Sequence, residues 1–251
     1  MSGKQEILTR DTGREPRRRT EKLSEIVARD IVRDMRGLPA GSMLPPENVM
    51  LDTYRVGRGS LREALRILEV HGLLIIRPGP GGGPMVAEAD STNFAKIASL
   101  HLHMTGATYR DIIEARLVME PVMARLAAER QDRQILQQLQ TYVDLPNPID
   151  DQEYIHTASN FHSLVSGMST NPALDLYGGS LKSIYGDRVE SMVFPMADRA
   201  RVSDDHREIA RLIVQGDAAE AERLMRMHMQ QFLKFSSDRN PGILGEVVDW
   251  R

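Results

Sequence analysis

The stretch PGPGGGP at residues 78–84 contains only glycine and proline, so neither a helix nor a regular central strand can run through it. Short apolar segments flank it, LLIIR before it and MVAEA after it. Two such segments around a Gly/Pro tip are typical of a β-hairpin. The sequence therefore predicts a small hairpin over residues 73–89.

Three helices are predicted before the hairpin. The first, KLSEIVARDIVRDM at 22–35, carries apolar residues at helical spacing and ends at GLPAGSMLPP. The second is short and opens with Pro46 and Glu47, and the third runs through RGSLREALRILEVHG to Gly72. Three helices followed by a hairpin are the element order of a winged helix-turn-helix, which places its third helix in the DNA major groove.

The third predicted helix has two different faces. Its apolar residues recur at core spacing, and its arginines lie together off that stripe: Leu61, Ala64, Leu65 and Leu68 on one face, Arg58, Arg62 and Arg66 on the other. An arginine row on a helix is either a solvated face or a DNA-binding surface. The glycine tip of the hairpin would allow the backbone to approach phosphate closely.

These segments resemble the DNA-binding domain of GntR-type bacterial repressors. The resemblance rests on LPPE at 44–47, VGRGSLREALRILEVHGLL at 56–74 and the Gly-rich wing, and covers residues 21–88. It implies that Arg58 and Arg62 contact DNA bases or phosphates, that Ser60 contacts a phosphate, and that Gly81 or Gly82 contacts DNA from the wing. Arg66 either contacts DNA or is solvated. Many members have Arg where this chain has Asn48, so the resemblance does not predict the operator sequence.

Charge divides the chain unevenly. Residues 1–88 carry 15 Lys and Arg against 12 Asp and Glu, whereas residues 89–251 carry 17 against 23. The start, which includes GREPRRRTEK, is either a disordered tail or an arm that binds DNA phosphates. We expect a basic arm over 1–20, a winged helix-turn-helix over 21–88, a helical domain over 89–238 and a tail over 239–251.

The residues after Asp90 show no strand pattern and predict an all-α bundle of about seven helices, so the whole chain is expected to be mainly α. The predicted helices are 92–105, 109–130, 132–143, 151–168, 172–194, 204–215 and 217–236. Asn171 and Pro172 are a plausible N-cap and first residue of one of them, and Ser203 is expected to cap another.

Two of these helices resemble the effector-binding (FCD) domain of the FadR branch of the GntR family. The segments are YRDIIEARLVMEPVMARLAAER at 109–130 and FHSLVSGMSTNPAL at 161–174. Many members of this branch hold a divalent metal with one Asp and three His, which implies His162, His206 and His228 here. The resemblance also places Arg116 near an effector carboxylate; the alternative is an ion pair with Glu120 one helical turn away.

The expected aspartate is missing, because Ala158 stands four residues before His162. Two outcomes stay open: a three-His site completed by water or an effector carboxylate, or a pocket that has lost its metal. With no cysteine in the chain, imidazole ligands would suit Zn²⁺ or Ni²⁺. The 22 residues from His206 to His228 fit two antiparallel helices joined by a tight turn at residues 216–217.

Together the patterns predict a cytoplasmic, homodimeric transcription repressor that reads a short DNA palindrome and senses a small organic acid. A metal-dependent hydrolytic enzyme and a non-specific architectural DNA-binding dimer are the alternatives. No apolar run approaches the length of a membrane span, and the N-terminus lacks the apolar segment of a signal peptide.

Overall fold

A computed structural model describes residues 21–79, 81–88, 90–144, 150–190 and 195–250; the predicted basic arm lies outside these ranges. The chain divides into two compact units at Asp90. Over the described residues it is mainly helical, with one two-stranded sheet, which confirms the predicted fold class. None of the described helices is long and apolar enough to cross a lipid bilayer.

The N-terminal unit has the predicted order of three helices and a hairpin. Its elements are α1 (Leu23–Asp34), α2 (Glu47–Tyr54), α3 (Arg58–Val70), β1 (Leu74–Arg77) and β2 (Gly83–Val86). Its core forms where the apolar stripe of α3 meets α1: Leu61, Ala64 and Leu68 are buried with Val27 and Ile31. Burying this stripe leaves the arginine face of α3 in solvent.

The hairpin forms a tight wing. β1 and β2 pair antiparallel, with Leu74 opposite Val86 and Arg77 opposite Gly83. The Gly82 amide donates a hydrogen bond to the Gly79 carbonyl over 2.9 Å. A Cβ atom on Gly82 would overlap the Arg77 carbonyl oxygen, so the turn requires glycine there.

The C-terminal unit is a helical bundle centred on α5. Its described helices are α4 (Ser91–Thr105), α5 (Tyr109–Arg130), α6 (Arg133–Val143), α7 (Asp151–Met168), α8 (Pro172–Glu190), α9 (Met196–Gln215), α10 (Ala218–Arg239) and α11 (Pro241–Gly245). Helices α7, α8, α9 and α10 all contact α5. As predicted, α8 begins at Pro172, and the Asn171 side chain accepts a hydrogen bond from the Ala173 amide over 3.0 Å.

Two expectations about this unit were wrong. Helix α9 begins at Met196 after Pro195, so Ser203 lies inside the helix and does not cap it. The residues from 196 to 203 contain neither Pro nor Gly, so nothing in them interrupts a helix that Pro195 can open. The predicted tail also contributes to the fold, because α11 forms and Leu244 and Val248 are fully buried.

Candidate metal and effector site

Three helices bring three histidines together in the C-terminal unit. His162 lies on α7, His206 on α9 and His228 on α10. One ring nitrogen from each lies within 4.8 Å of those of the other two. The side chains of His206 and His228 are buried, and the His206 ring stacks on Phe161 with a centroid separation of 4.2 Å. The site is therefore built from residues that are far apart in sequence.

A short turn aligns α9 with α10. Gly216 ends α9 with φ +77°, and the Asp217 carboxylate caps α10 by accepting the Glu220 amide over 3.2 Å. This turn sets His206 opposite His228, with their Nε2 atoms 3.1 Å apart. The 22-residue spacing thus places two imidazoles against each other, as the sequence pattern predicts.

Two carboxylates contact the outer nitrogens of the imidazoles. Glu120 Oε2 lies 2.5 Å from His162 Nδ1, and Asp205 Oδ2 lies 3.3 Å from His228 Nδ1. Metal-binding histidines usually donate their second N–H to a carboxylate in this way, which orients the ring and leaves the other nitrogen free to bind the metal. The residues present therefore fit a divalent ion that accepts three imidazole ligands.

Burial favours the neutral form of His162 and His206. Loss of hydration lowers the pKa of His206 well below its usual 6.5, and the neighbouring His228 and His162 lower it further. Burial also lowers the pKa of His162, although Glu120 opposes the shift. Neutral imidazole is the form that binds a metal ion, so the site has donors available near neutral pH.

Arg116 and Glu120 form a buried ion pair beside the histidines. Arg116 Nε lies 2.5 Å from Glu120 Oε1, and both side chains are less than a tenth exposed. Burial alone would raise the pKa of Glu120, but Arg116 and His162 outweigh this effect and lower it to about 2. The ion-pair alternative for Arg116 is thus present, and Arg116 lines the cavity as well. The spacing of Glu120 from Arg116 predicted their ion pair. The contact of Glu120 with His162 was not predicted, because the two residues lie on different helices.

A cavity of about 90 Å³ adjoins the histidines, several times the space that one ordered water needs. Its wall includes Arg116, Ala158, Ser159, His162, Lys182, Tyr185, His206 and His228. Ala158 contributes only a methyl group at the position where the resemblance in sequence predicts an aspartate ligand. The carboxylate nearest to His162 comes from Glu120 on α5 instead, and it contacts the outer nitrogen.

The residues predicted to contact DNA lie on α3 and the wing of the N-terminal unit. Arg58 is the first residue of α3; it is exposed and has no ion pair with any described residue. Arg62 contacts Glu47 over 3.2 Å, and Arg66 contacts Glu69 over 2.9 Å. Among the other predicted positions, Ser60 is half-buried on α3, Asn48 is exposed on α2, and Gly81 and Gly82 lie in the turn of the wing.

Comparison with known proteins agrees with this architecture. Residues 23–82 match the model of bacterial regulatory proteins of the gntR family, and residues 111–231 match the FCD domain. The chain is 29% identical over 204 residues to the HTH-type transcriptional regulator YcbG of Bacillus subtilis, covering 80% of this chain and 82% of that protein. It is 26% identical over 233 residues to the HTH-type transcriptional repressor NanR of Cronobacter sakazakii, covering 89% and 88%.

A solved structure shows the same fold. Streptococcus agalactiae GntR superposes with a TM-score of 0.64 at 24% identity, covering 84% of this chain and 99% of that one. The winged helix-turn-helix and the helical unit therefore occur in the order that the two matched models describe. The chain belongs to the GntR family of DNA-binding transcription regulators, in the branch that carries an FCD domain, and it is not an enzyme.

Proposed function

We propose that this regulator is a repressor whose affinity for a specific operator is controlled by a small organic acid bound in the FCD domain through a divalent metal. One observation carries the proposal: three histidine donor atoms within 4.8 Å of one another line a cavity that also contains Arg116. Similarity to a protein named as a repressor, NanR, supports the direction of regulation.

The DNA-binding half of the proposal concerns the exposed face of α3. Arg58 and Arg62 contact bases or phosphates, Ser60 contacts phosphate, Arg66 adds charge, and the Gly81–Gly82 turn of the wing approaches the backbone. Arg62 must leave Glu47 to do so. Because both side chains of that pair are largely exposed, the exchange costs about 1 kcal/mol or less. A homodimer presents two such helices to the two halves of a palindrome.

In the sensing half, His162, His206 and His228 hold the metal, with Zn²⁺ or Ni²⁺ suited to imidazole ligands. A bound divalent ion would supply positive charge and open positions for carboxylate oxygens. Glu120 and Asp205 orient two of the imidazoles. Arg116 supplies a guanidinium to the cavity wall, where it attracts an acidic ligand.

Ligand binding must change the relative stability of two arrangements of the protein if it is to change DNA affinity. The three histidines lie on α7, α9 and α10, and these helices also pack on α5. A ligand that draws the histidines together therefore acts on four helices at once. We propose that this movement changes the spacing of the two α3 helices in the dimer.

The test joins metal analysis to operator binding. Protein purified without a His tag is expected to retain about one divalent ion per chain, by analogy with three-imidazole sites. A thermal-shift screen of small carboxylic acids then identifies those that stabilise the metal-loaded protein. Such an acid is expected to weaken binding to an operator, selected by the protein from random DNA, by roughly 5- to 150-fold.

His206→Ala should abolish metal retention and the response to the acid, whereas His101→Ala, at an exposed position on α4, should change neither. A gel-shift titration in which neither metal nor any acid alters operator affinity would refute the sensing mechanism. Equal affinity for random and selected DNA at the same salt concentration would favour an architectural DNA binder instead.

A further inference from the structure

One positive charge on the cavity wall has no acidic partner in the part of the chain that the structure describes. Lys182, on α8, lines the cavity and donates a hydrogen bond from Nζ to Ser163 Oγ over 2.6 Å. No carboxylate among the described residues forms an ion pair with it. Arg116 differs, since its charge is already balanced by Glu120. Lys182 is therefore a half-buried cation that is available to a ligand.

The surroundings of Lys182 favour an incoming anion. Burial lowers the pKa of its ammonium group, and the nearby Arg116 lowers it further. Tyr185, three residues along α8, also lines the cavity, and its buried hydroxyl has no hydrogen-bond partner in the part of the chain that the structure describes. The Arg116 guanidinium lies over the Tyr185 ring, 5.2 Å from its centroid. Lys182 thus presents a charge with no carboxylate partner among the described residues, and Tyr185 adds a hydroxyl that has no hydrogen-bond partner there.

The charges can be counted around the cavity. Arg116 and Lys182 are the charged side chains that line the cavity, and no carboxylate among the described residues lines it. Glu120 pairs with Arg116, and Asp205 pairs with Arg201 and contacts His228, so the charge of Lys182 stays unbalanced before any metal is bound. A ligand with a single carboxylate at the histidines would leave the ammonium of Lys182 partly dehydrated and uncompensated. A ligand with a second carboxylate would balance it.

We infer that the effector is a small dicarboxylic acid: one carboxylate binds at the three histidines and Arg116, and the second binds Lys182. This inference rests on the proposed acid-sensing function and narrows the class of acid. The cavity of about 90 Å³ restricts the ligand to a short carbon chain. Lys182 then determines specificity, because it favours acids with two carboxylates over acids with one.

The experiment compares matched acids on the metal-loaded, full-length protein by calorimetry. Each pair has the same straight carbon chain, of three to six carbons, and differs only in the second carboxylate: malonate and propionate, succinate and butyrate, glutarate and valerate, adipate and hexanoate. We expect at least one dicarboxylate to bind about tenfold or more tightly than its monocarboxylate partner, equivalent to one charge-assisted hydrogen bond.

Lys182→Met keeps a flexible apolar chain of nearly the same length and removes the charge, so it should weaken dicarboxylates far more than monocarboxylates and abolish this preference. Lys182→Arg should retain the preference. Lys234→Met, at an exposed position on α10, is the matched control and should behave as wild type. If Lys182→Met fails to fold by circular dichroism, Lys182→Gln provides the same test.

The outcomes separate the two proposals. Equal affinity within every pair, or a preference that survives Lys182→Met, would overturn the second-carboxylate inference and leave acid sensing intact. If neither class of acid binds metal-loaded protein, the acid-sensing function and this inference are both overturned.

Discussion

Glu120 has two roles at the site, because each of its carboxylate oxygens contacts a different group. Oε1 accepts from Arg116 and Oε2 accepts from His162, both at 2.5 Å. The first contact neutralises a buried guanidinium, and the second orients an imidazole of the histidine cluster. Glu120 therefore links the stability of the core to the proposed metal affinity of the site.

We predict that Glu120→Gln destabilises the protein by roughly 3 kcal/mol or more, because Arg116 would be left buried without a carboxylate. Metal affinity should also fall by about 10- to 100-fold as His162 loses its orienting partner. Urea denaturation and metal titration measure the two effects. The matched control is Glu129→Gln, which breaks an exposed Arg–Glu pair of the same spacing on the same helix and should cost about 0.5 kcal/mol.

The difference between wild type and Glu120→Gln should depend on pH. The pKa of Glu120 is lowered to about 2 from an ordinary value of 4.5. A carboxyl group with a lowered pKa stabilises the folded state above the unfolded value and loses that contribution as the pH falls toward the folded value. The difference in free energy of unfolding between wild type and Glu120→Gln should therefore be largest above pH 4.5 and should decrease as the pH falls below 4.5. Equal losses in Glu120→Gln and Glu129→Gln at neutral pH would contradict the buried-pair argument.

At the scale of elements, one face of α3 packs into the core and the other carries the arginines proposed to contact DNA. Leu61, Ala64 and Leu68 bury its apolar stripe, while the arginines remain in solvent. Because the exposed face contributes only surface ion pairs, such as Arg62–Glu47, charge can be removed there with a loss of about 1 kcal/mol or less. Binding and folding can thus be changed independently on this helix.

Arg58→Gln provides the test of that separation. We expect the variant to lose roughly 1–3 kcal/mol of operator affinity while its melting temperature stays within a degree or two of wild type. Fluorescence anisotropy with labelled operator, together with thermal unfolding, measures both quantities. Arg33→Gln on α1, also exposed, should bind as wild type. Identical affinities for the two variants would mean that α3 does not read DNA as proposed.

At the scale of the whole molecule, the proposal requires two copies of the chain on one operator. Linking two DNA-binding units makes the second binding event intramolecular, which raises affinity by about 10²–10⁴-fold when the geometry permits both contacts. DNA with one half-site replaced by random sequence should therefore bind at least 100-fold more weakly than the full palindrome. A loss below about tenfold would indicate that the two winged helices do not bind together.

The sequence was most informative where structure depends on near neighbours. Helical spacing identified both faces of α3, the Gly/Pro run identified the wing, and Asn171–Pro172 identified the start of α8. Each feature depends on residues within a few positions of one another, so local pattern determines it. Local pattern was wrong at Ser203, where a typical cap residue lies inside a continuous helix. A capping side chain permits a helix to start but does not prevent one from passing through it.

Sequence by itself determined the order of the elements, because this follows from residue types at fixed spacings, and the resemblance of its motifs to a known family implied the three histidines. Only the tertiary structure placed Glu120 against His162 and Lys182 on the wall of the same cavity. These residues come from α5, α7 and α8, and their approach depends on how helices pack across the bundle, not on spacing along the chain. For that reason the sequence predicted a site for a metal and an acid, whereas helix packing decided which charged side chains lie at the cavity.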